Sequence, residues 1–180
     1  MVSNNDLTVN ISFPPIADNQ AHTVILGSMP SVKSLAQQQY YAHPRNAFWP
    51  IMCAILNMDI SWDYNKRCQH LINNHIAIWD SIQACQRQGS LDQQIKTDSI
   101  IANDFKQFFA EHPHINALFF NGAKAEQVFK SYVLPALDKK QSQISRYRLP
   151  STSPAHAAMT FEQKYHIWNQ ALAINKTNIF

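Results

Sequence analysis

The chain of 180 residues contains only three glycines, Gly27, Gly89 and Gly122. Average usage of roughly 7% would give about a dozen. Neither GxGxxG nor GxxxxGK[ST] can be written from them, which excludes glycine-rich loops that cradle cofactor phosphates. A glycine kept in so sparse a set answers a backbone need that another residue cannot meet. Charge is scarce as well: Asp, Glu, Lys and Arg make up 15%, against roughly 25% in an average domain, and Gln and Asn carry the surface polarity. The cysteines are Cys53, Cys68 and Cys85. They are odd in number and form no CxxC pair, so a disulfide framework or zinc ribbon is not expected. Reduced thiols in a cytoplasmic protein are. Cys68-x-His70 with His75, and His112-x-His114, match no zinc spacing, and no metal or cofactor is expected. There is no GxSxG elbow. Met1–Asp6 lacks the basic and apolar regions of a signal peptide. No apolar run approaches the ~18 residues of a membrane span, so no membrane partner is expected.

What is present is apolar and aromatic. Hydrophobic residues are 46% of the chain, with 10 Phe, 6 Tyr and 4 Trp, enough to bury a core in one domain of this size. The reading is a single domain over 1–180: a polar, proline-bearing arm (1–22), an α/β core (23–173) and a tail (174–180). Thr23–Gly27, His75–Asp80, Ile115–Gly122 and Ser145–Pro150 read as strands. They alternate with helical segments over 46–57, 98–110, 123–132 and 160–173. On the last of these, Phe161, Tyr165, Trp168 and Leu172 are spaced to face the core. Strands alternating with helices imply crossover connections. The expected fold is therefore α/β, a three-layer α/β/α sandwich with a central, mostly parallel sheet of four to five strands.

In such sheets ligands bind beyond the carboxyl ends of the strands. Here those ends are Gly27-Ser28-Met29-Pro30, Asp80-Ser81, Asn121-Gly122 and Ser151-Thr152-Ser153, all expected on one rim. Between the first strand and the first long helix runs Tyr41-Ala-His43-Pro-Arg45-Asn46-Ala-Phe-Trp49. Asn46 is placed to cap the helix, and a capped carboxamide has a fixed rotamer, as orienting a water requires. Ser151-Thr152-Ser153-Pro154-Ala155-His156 is either a plain turn or a set of groups for phosphate oxygens and a leaving group. Lys33, Arg45, Lys124, Arg146 and Arg148 near the rim, with Tyr40, Tyr41, Phe48 and Trp49, mix cations with stacking groups, as nucleic acid demands. A net charge of +3 agrees with a polyanionic partner without requiring one.

The three blocks Gly27-Ser-Met-Pro30, Tyr41-Ala-His-Pro-Arg-Asn-Ala-Phe-Trp49 and Leu149-Pro-Ser-Thr-Ser-Pro-Ala-His156 resemble the uracil-DNA glycosylase superfamily. Within it they are most similar to the hypoxanthine-DNA glycosylase branch, from about Phe13 to Trp168. The resemblance implies an enzyme that flips a deaminated base, hypoxanthine foremost, out of double-stranded DNA and hydrolyses its N-glycosidic bond; a monomer is expected, because one domain acting on one lesion needs no partner. It implies no metal, cofactor or covalent intermediate. Most branches carry a water-orienting Asp or Asn at the third position of the first block. Here that position is Met29, and the resemblance moves the catalytic carboxamide to Asn46. It implies His156 as a further catalytic group and Gly27, Ser28, Met29, Pro30, Tyr41, Asp80 and Asn121 around the base. Tyr41 would stack on it, and an ionised Asp80 would accept its N1–H. His43, Arg45, Ser151, Thr152, Ser153, Pro154 and Ala155 would meet the DNA, with Met159 near the gap left by the base. A glycosylase acting mainly on uracil or other deaminated or mismatched bases stays open. So do a non-catalytic DNA-binding relative and a hydrolase of free nucleosides, although the last usually relies on an Asp-rich calcium site that is missing here.

Overall fold

The structure, a computed structural model, describes residues 9–177. The expectations for Met1–Asp6 and for 178–180 fall outside the described residues. In chain order the elements are β1 (Val9–Ile11), β2 (Thr23–Gly27), α1 (Val32–Gln37), α2 (Phe48–Leu56), α3 (Tyr64–Asn73), β3 (Ile76–Asp80), β4 (Ile82–Gln86), β5 (Ile101–Ala102), α4 (Phe105–Glu111), β6 (Ala117–Asn121), α5 (Ala123–Val128), β7 (Ser145–Leu149) and α6 (Phe161–Thr177).

β3, β2, β6 and β7 form the central sheet in that order, and every pairing is parallel. All five residues of β2 and of β3 are buried. That is what a strand covered on both faces requires, and it explains why these strands read as continuous apolar runs. Helices close the two faces into an α/β/α sandwich around a core that includes Ile25, Ile78, Phe119, Phe120, Phe48 and Trp168. A second, antiparallel sheet of order β1-β4-β5 stands beside it. β4 leaves β3 across Ser81, so one run of chain serves both sheets. A smaller apolar cluster lies under this second sheet: Met29, Ile82, Cys85, Ile95 and Val128. Among the described residues no helix is long and apolar enough to cross a membrane.

The central sheet, expected as four to five mostly parallel strands, has four, all parallel. Other expectations shift. The 98–110 helix starts only at Phe105, because the Asp104 carboxylate accepts from Gln107 N–H (3.0 Å) and fixes the N-cap there. The residues before it enter β5, where Ile82 pairs with Ala102 and Ala84 with Ile101. The arm contributes β1, paired to β4. The expected tail is helical as far as Thr177. On α6 Trp168 and Leu172 face the core, but Phe161 is 42% exposed. All three cysteines are buried and free.

Candidate active site

The carboxyl ends of the four parallel strands open into one cavity of about 560 Å³. Of the sequence-predicted residues it brings together Gly27, Ser28, Met29, Pro30, Tyr41, Asn46, Asp80, Asn121, Ser151, Thr152, Ser153, Ala155 and His156. His43, Arg45 and Pro154 do not line it. Of the predicted rim cations only Lys124 reaches it. Arg148 is paired with Glu126 (3.4 Å) and Arg146 donates to the Ser142 carbonyl (2.7 Å). Tyr40, Phe48 and Trp49 are core residues, not surface stacking groups.

The floor is set by β2 and β3 ending in register, Gly27 opposite Asp80. Ser81 N–H donates to the Gly27 carbonyl (2.8 Å) and Ile82 N–H to the Ser28 carbonyl (3.1 Å), so the two strand ends stay fastened past the sheet. A Cβ at Gly27 would collide with Asp80 Oδ1 and press on the Tyr41 hydroxyl at 3.3 Å. Gly27 is therefore required by close approach. Gly122 takes a left-handed φ of 98°, with Ser151 Cβ only 3.0 Å from where its Cβ would stand.

Asp80 is 3% exposed, and its Oδ2 has no hydrogen-bond partner. Burial, followed by the charge of Asp92, pushes the carboxyl up to about 8, against the pull of Arg87. Burial thus favours the protonated acid near neutral pH over the carboxylate expected from the sequence. The Tyr41 hydroxyl, likewise buried without a hydrogen-bond partner, is driven well above the usual phenol range by burial and then by Asp80. The Asp80 carboxyl and the Tyr41 hydroxyl thus meet beside Gly27 at the pocket floor.

Tyr41 adopts a positive φ of 56°. Its neighbours impose this. Tyr40 N–H donates to the Tyr64 hydroxyl (2.9 Å), and the Tyr40 hydroxyl donates to the Pro14 carbonyl (3.0 Å). Trp49 Nε1–H donates to the Tyr40 carbonyl (2.9 Å), and Ala42 N–H donates to Ser34 Oγ (3.2 Å). One face of the Tyr41 ring stacks on Phe48, with centroids 3.8 Å apart. Asn46 Oδ1 accepts from Phe48 N–H (2.9 Å), a turn one residue before the N-cap of α2, which is Ala47 and makes no side-chain capping bond, so the cap expected at Asn46 is not formed in the usual way. That leaves Nδ2 and one Oδ1 lone pair for another group.

Asn121 is held at both ends by Thr152: its Nδ2 donates to Thr152 Oγ1 and its Oδ1 accepts from Thr152 N–H, each at 2.8 Å. Thr152 is 1% exposed, so this pair clamps the ends of β6 and β7 together. Ser151 Oγ accepts from Ser153 N–H and Ser153 Oγ from Ala155 N–H, each at 3.2 Å, which curls 151–156 into successive hydroxyl-capped turns. Met29 turns its side chain into the smaller apolar cluster. Sequence reasoning missed the opposite wall, Ser90 to Gln93, a polar loop without a motif. It is fastened by Ser28 Oγ–H donating to Asp92 (2.7 Å) and Val32 N–H donating to Ser90 Oγ (3.0 Å). Beneath it Arg87 is 2% exposed, donating to the Pro30 carbonyl, with Nε and Nη1 unpartnered. Among the described residues no three His, Cys, Asp or Glu side chains converge as a metal site.

Fold and site together define an α/β/α protein with a cavity of mixed polar and apolar lining over the carboxyl ends of a parallel sheet. The chain belongs to the uracil DNA glycosylase superfamily, whose family model matches residues 14–173. It is similar to a hypoxanthine DNA glycosylase of Methanosarcina barkeri, 37% identical over 114 residues, spanning 63% of this chain and 71% of the relative. It is also similar to a hypoxanthine DNA glycosylase of Methanosarcina acetivorans, 32% identical over 145 residues, spanning 76% of this chain and 90% of the relative. A solution NMR structure from Methanosarcina acetivorans, described as a candidate uracil DNA glycosylase, superposes with a TM-score of 0.73 at 30% identity. It covers 92% of this chain and 99% of that one.

Proposed function

We propose that the protein is a monofunctional DNA glycosylase that removes deaminated bases from double-stranded DNA, hypoxanthine from deoxyinosine foremost, acting as a cytoplasmic monomer without metal or cofactor. The observation that carries this reading is the buried, unpartnered Asp80 acid at the pocket floor. A protonated carboxyl offers one donor and one acceptor side by side. The lactam edge of hypoxanthine, C6=O next to N1–H, is its complement, so O–H donates to O6 while the carboxyl C=O accepts N1–H. The names of the two relatives agree with it.

The mechanism follows from the groups present. Extruding the base sets it against Tyr41, whose other face is braced by Phe48. A deaminated base is mispaired, so less unpairing energy opposes its extrusion, and selection begins there. Bond cleavage develops positive charge on the sugar and negative charge on the base. Asn46, its rotamer fixed by the bond to Phe48 N–H, orients the water for C1′. Such positioning is worth about 2–4 kcal/mol. His156, which lines the pocket, would favour the departing base.

Uracil presents the same lactam edge, C4=O beside N3–H, so the Asp80 acid favours uracil as a second substrate. The test uses duplexes carrying deoxyinosine, uracil, xanthine or a mismatched thymine, treated with alkali after incubation. Strand cleavage at deoxyinosine is expected. Its absence refutes the reading, and binding without base release would mark a DNA-binding relative.

A further inference from the structure

Asn46, Thr152 and Ser153 form a partition. On one side is the pocket; on the other is a second cavity of about 270 Å³, walled by Arg45 and Pro50, by Pro154, and by Phe161 and Lys164 of α6. Arg45 is exposed at its rim. Lys164 is only 5% exposed. Its Nζ makes one hydrogen bond, to the His156 carbonyl at 2.8 Å. The ion pairs among the described residues are those of Glu126 with Lys130 and Arg148, so neither Lys164 nor Arg45 has a carboxylate partner there. An ammonium carries three donors. Burying it with one neutral acceptor leaves it under-coordinated, and burial lowers its proton affinity. A buried cation without a counter-ion is costly to keep, unless an anion completes the site when the partner binds.

Resting on the reading of the protein as one that acts on DNA, we infer that this second cavity is a phosphate subsite, in which Lys164 from the floor and Arg45 from the rim hold a backbone phosphodiester of the strand that carries the extruded nucleotide. The partition fits: the residue that orients the water, Asn46, separates the two cavities, so a strand entering one has its neighbouring phosphate beside the other. The same ammonium also holds the His156 carbonyl. The phosphate and the turn over the pocket mouth therefore share one anchor, and seating the backbone registers that turn. Phosphate contacts of this kind position a protein on DNA without reading sequence.

The test is the salt dependence of binding to a deoxyinosine duplex, measured for wild type, Lys164→Met, Lys164→Arg and Arg45→Gln. Each phosphate neutralised adds about 0.9 to the slope of log affinity against log salt. Because both cations hold one phosphate, Lys164→Met and Arg45→Gln are each expected to lower the slope, by about one unit when combined, and Lys164→Arg to retain it. A folded Lys164→Met whose affinity falls while its slope stays that of wild type shows a merely structural lysine and overturns the proposal. Should Lys164→Met not fold, the exposed Arg45→Gln carries the test, and an unchanged slope there overturns it equally. Base release by wild type is followed on the same duplexes. Failure of release with the slope changes intact refutes the glycosylase reading and leaves the phosphate subsite standing.

Discussion

Asp80→Asn separates the two protonation states of the pocket acid. An asparagine amide keeps the shape of a neutral carboxyl, with one donor and one acceptor, and cannot ionise. In the folded protein Asp80 is pushed up to about 8 from an ordinary value of 3.8. The folded state therefore keeps a proton that the unfolded chain releases. The stability tied to this group is fully present below about pH 4 and is lost as pH rises toward 8, with a slope of about 1.4 kcal/mol per pH unit. At pH 7 the wild type has lost about 4 kcal/mol by this route. Asp80→Asn should recover it, melting roughly 10 °C higher at pH 7 and together with wild type near pH 4. Because the donor–acceptor pair survives, hypoxanthine release by Asp80→Asn should stay within about tenfold of wild type, whereas Asp80→Ala should lose about 10²–10³-fold. Thermal melts across this pH range, with single-turnover release from a deoxyinosine duplex, measure both. Parallel melting curves at every pH, or a folded but inactive Asp80→Asn, would refute the neutral-acid argument.

Asn46→Ala should cut single-turnover release about 30- to 1000-fold with DNA affinity unchanged, and lower stability by about 1 kcal/mol through loss of the hydrogen bond that Asn46 Oδ1 accepts from Phe48 N–H, read by a binding isotherm and a melt. Gly27→Ala should abolish release, because its Cβ takes the space of Asp80 Oδ1 and crowds the Tyr41 hydroxyl; retained activity would show that the floor yields. At the opposite end of the sheet the His22 ring lies 5.2 Å from His75 and 5.8 Å from His114. Burial, followed by the charges of His75 and His114, lowers the His22 pKa. Stability should therefore fall as pH drops below about 6.5, and His22→Gln should flatten that acid limb in pH-dependent melts.

The parallel sheet was legible because β2 and β3 are short apolar runs, Thr23–Gly27 and Ile76–Asp80, each ending in a residue that breaks the apolar run, Gly27 and Asp80. Their ends point to one rim by topology alone, and the cavity forms there. The antiparallel sheet was not legible. β4 mixes two fully buried residues with polar ones, and β5 is two residues long, so neither yields a period. α3 buries only Cys68 and Leu71 and left no apolar stripe to read. Within the site, the motif residues were visible and their hydrogen bonds were not. Asn121 and Thr152 look like two groups offered to a ligand, yet they satisfy each other. Arg87 looks like a surface cation, yet it is buried beneath the loop wall. Charge type alone does not say which side chains the fold has already used.

Several of the groups that disfavour the fold lie around the pocket. Asp80 is buried without a partner, Tyr41 is held at a positive φ, and Arg87 keeps two nitrogens unpartnered beneath the loop. Each opposes folding by on the order of 1–3 kcal/mol or more. None lies in the middle of the sheet, where Ile25, Ile78 and Phe119 pack an apolar interior. The rigid part of the molecule supplies the stability, and the strand ends hold the strain in position through fixed bonds, such as those from Trp49 and Tyr64 to the Tyr40 backbone. On the proposed reading, a pocket left unsatisfied in this way gains most from a base that brings both a donor and an acceptor, and little from one that brings neither. Substitutions that relieve the strain should therefore stabilise the protein, and those that also change the donor–acceptor pattern should cost it activity.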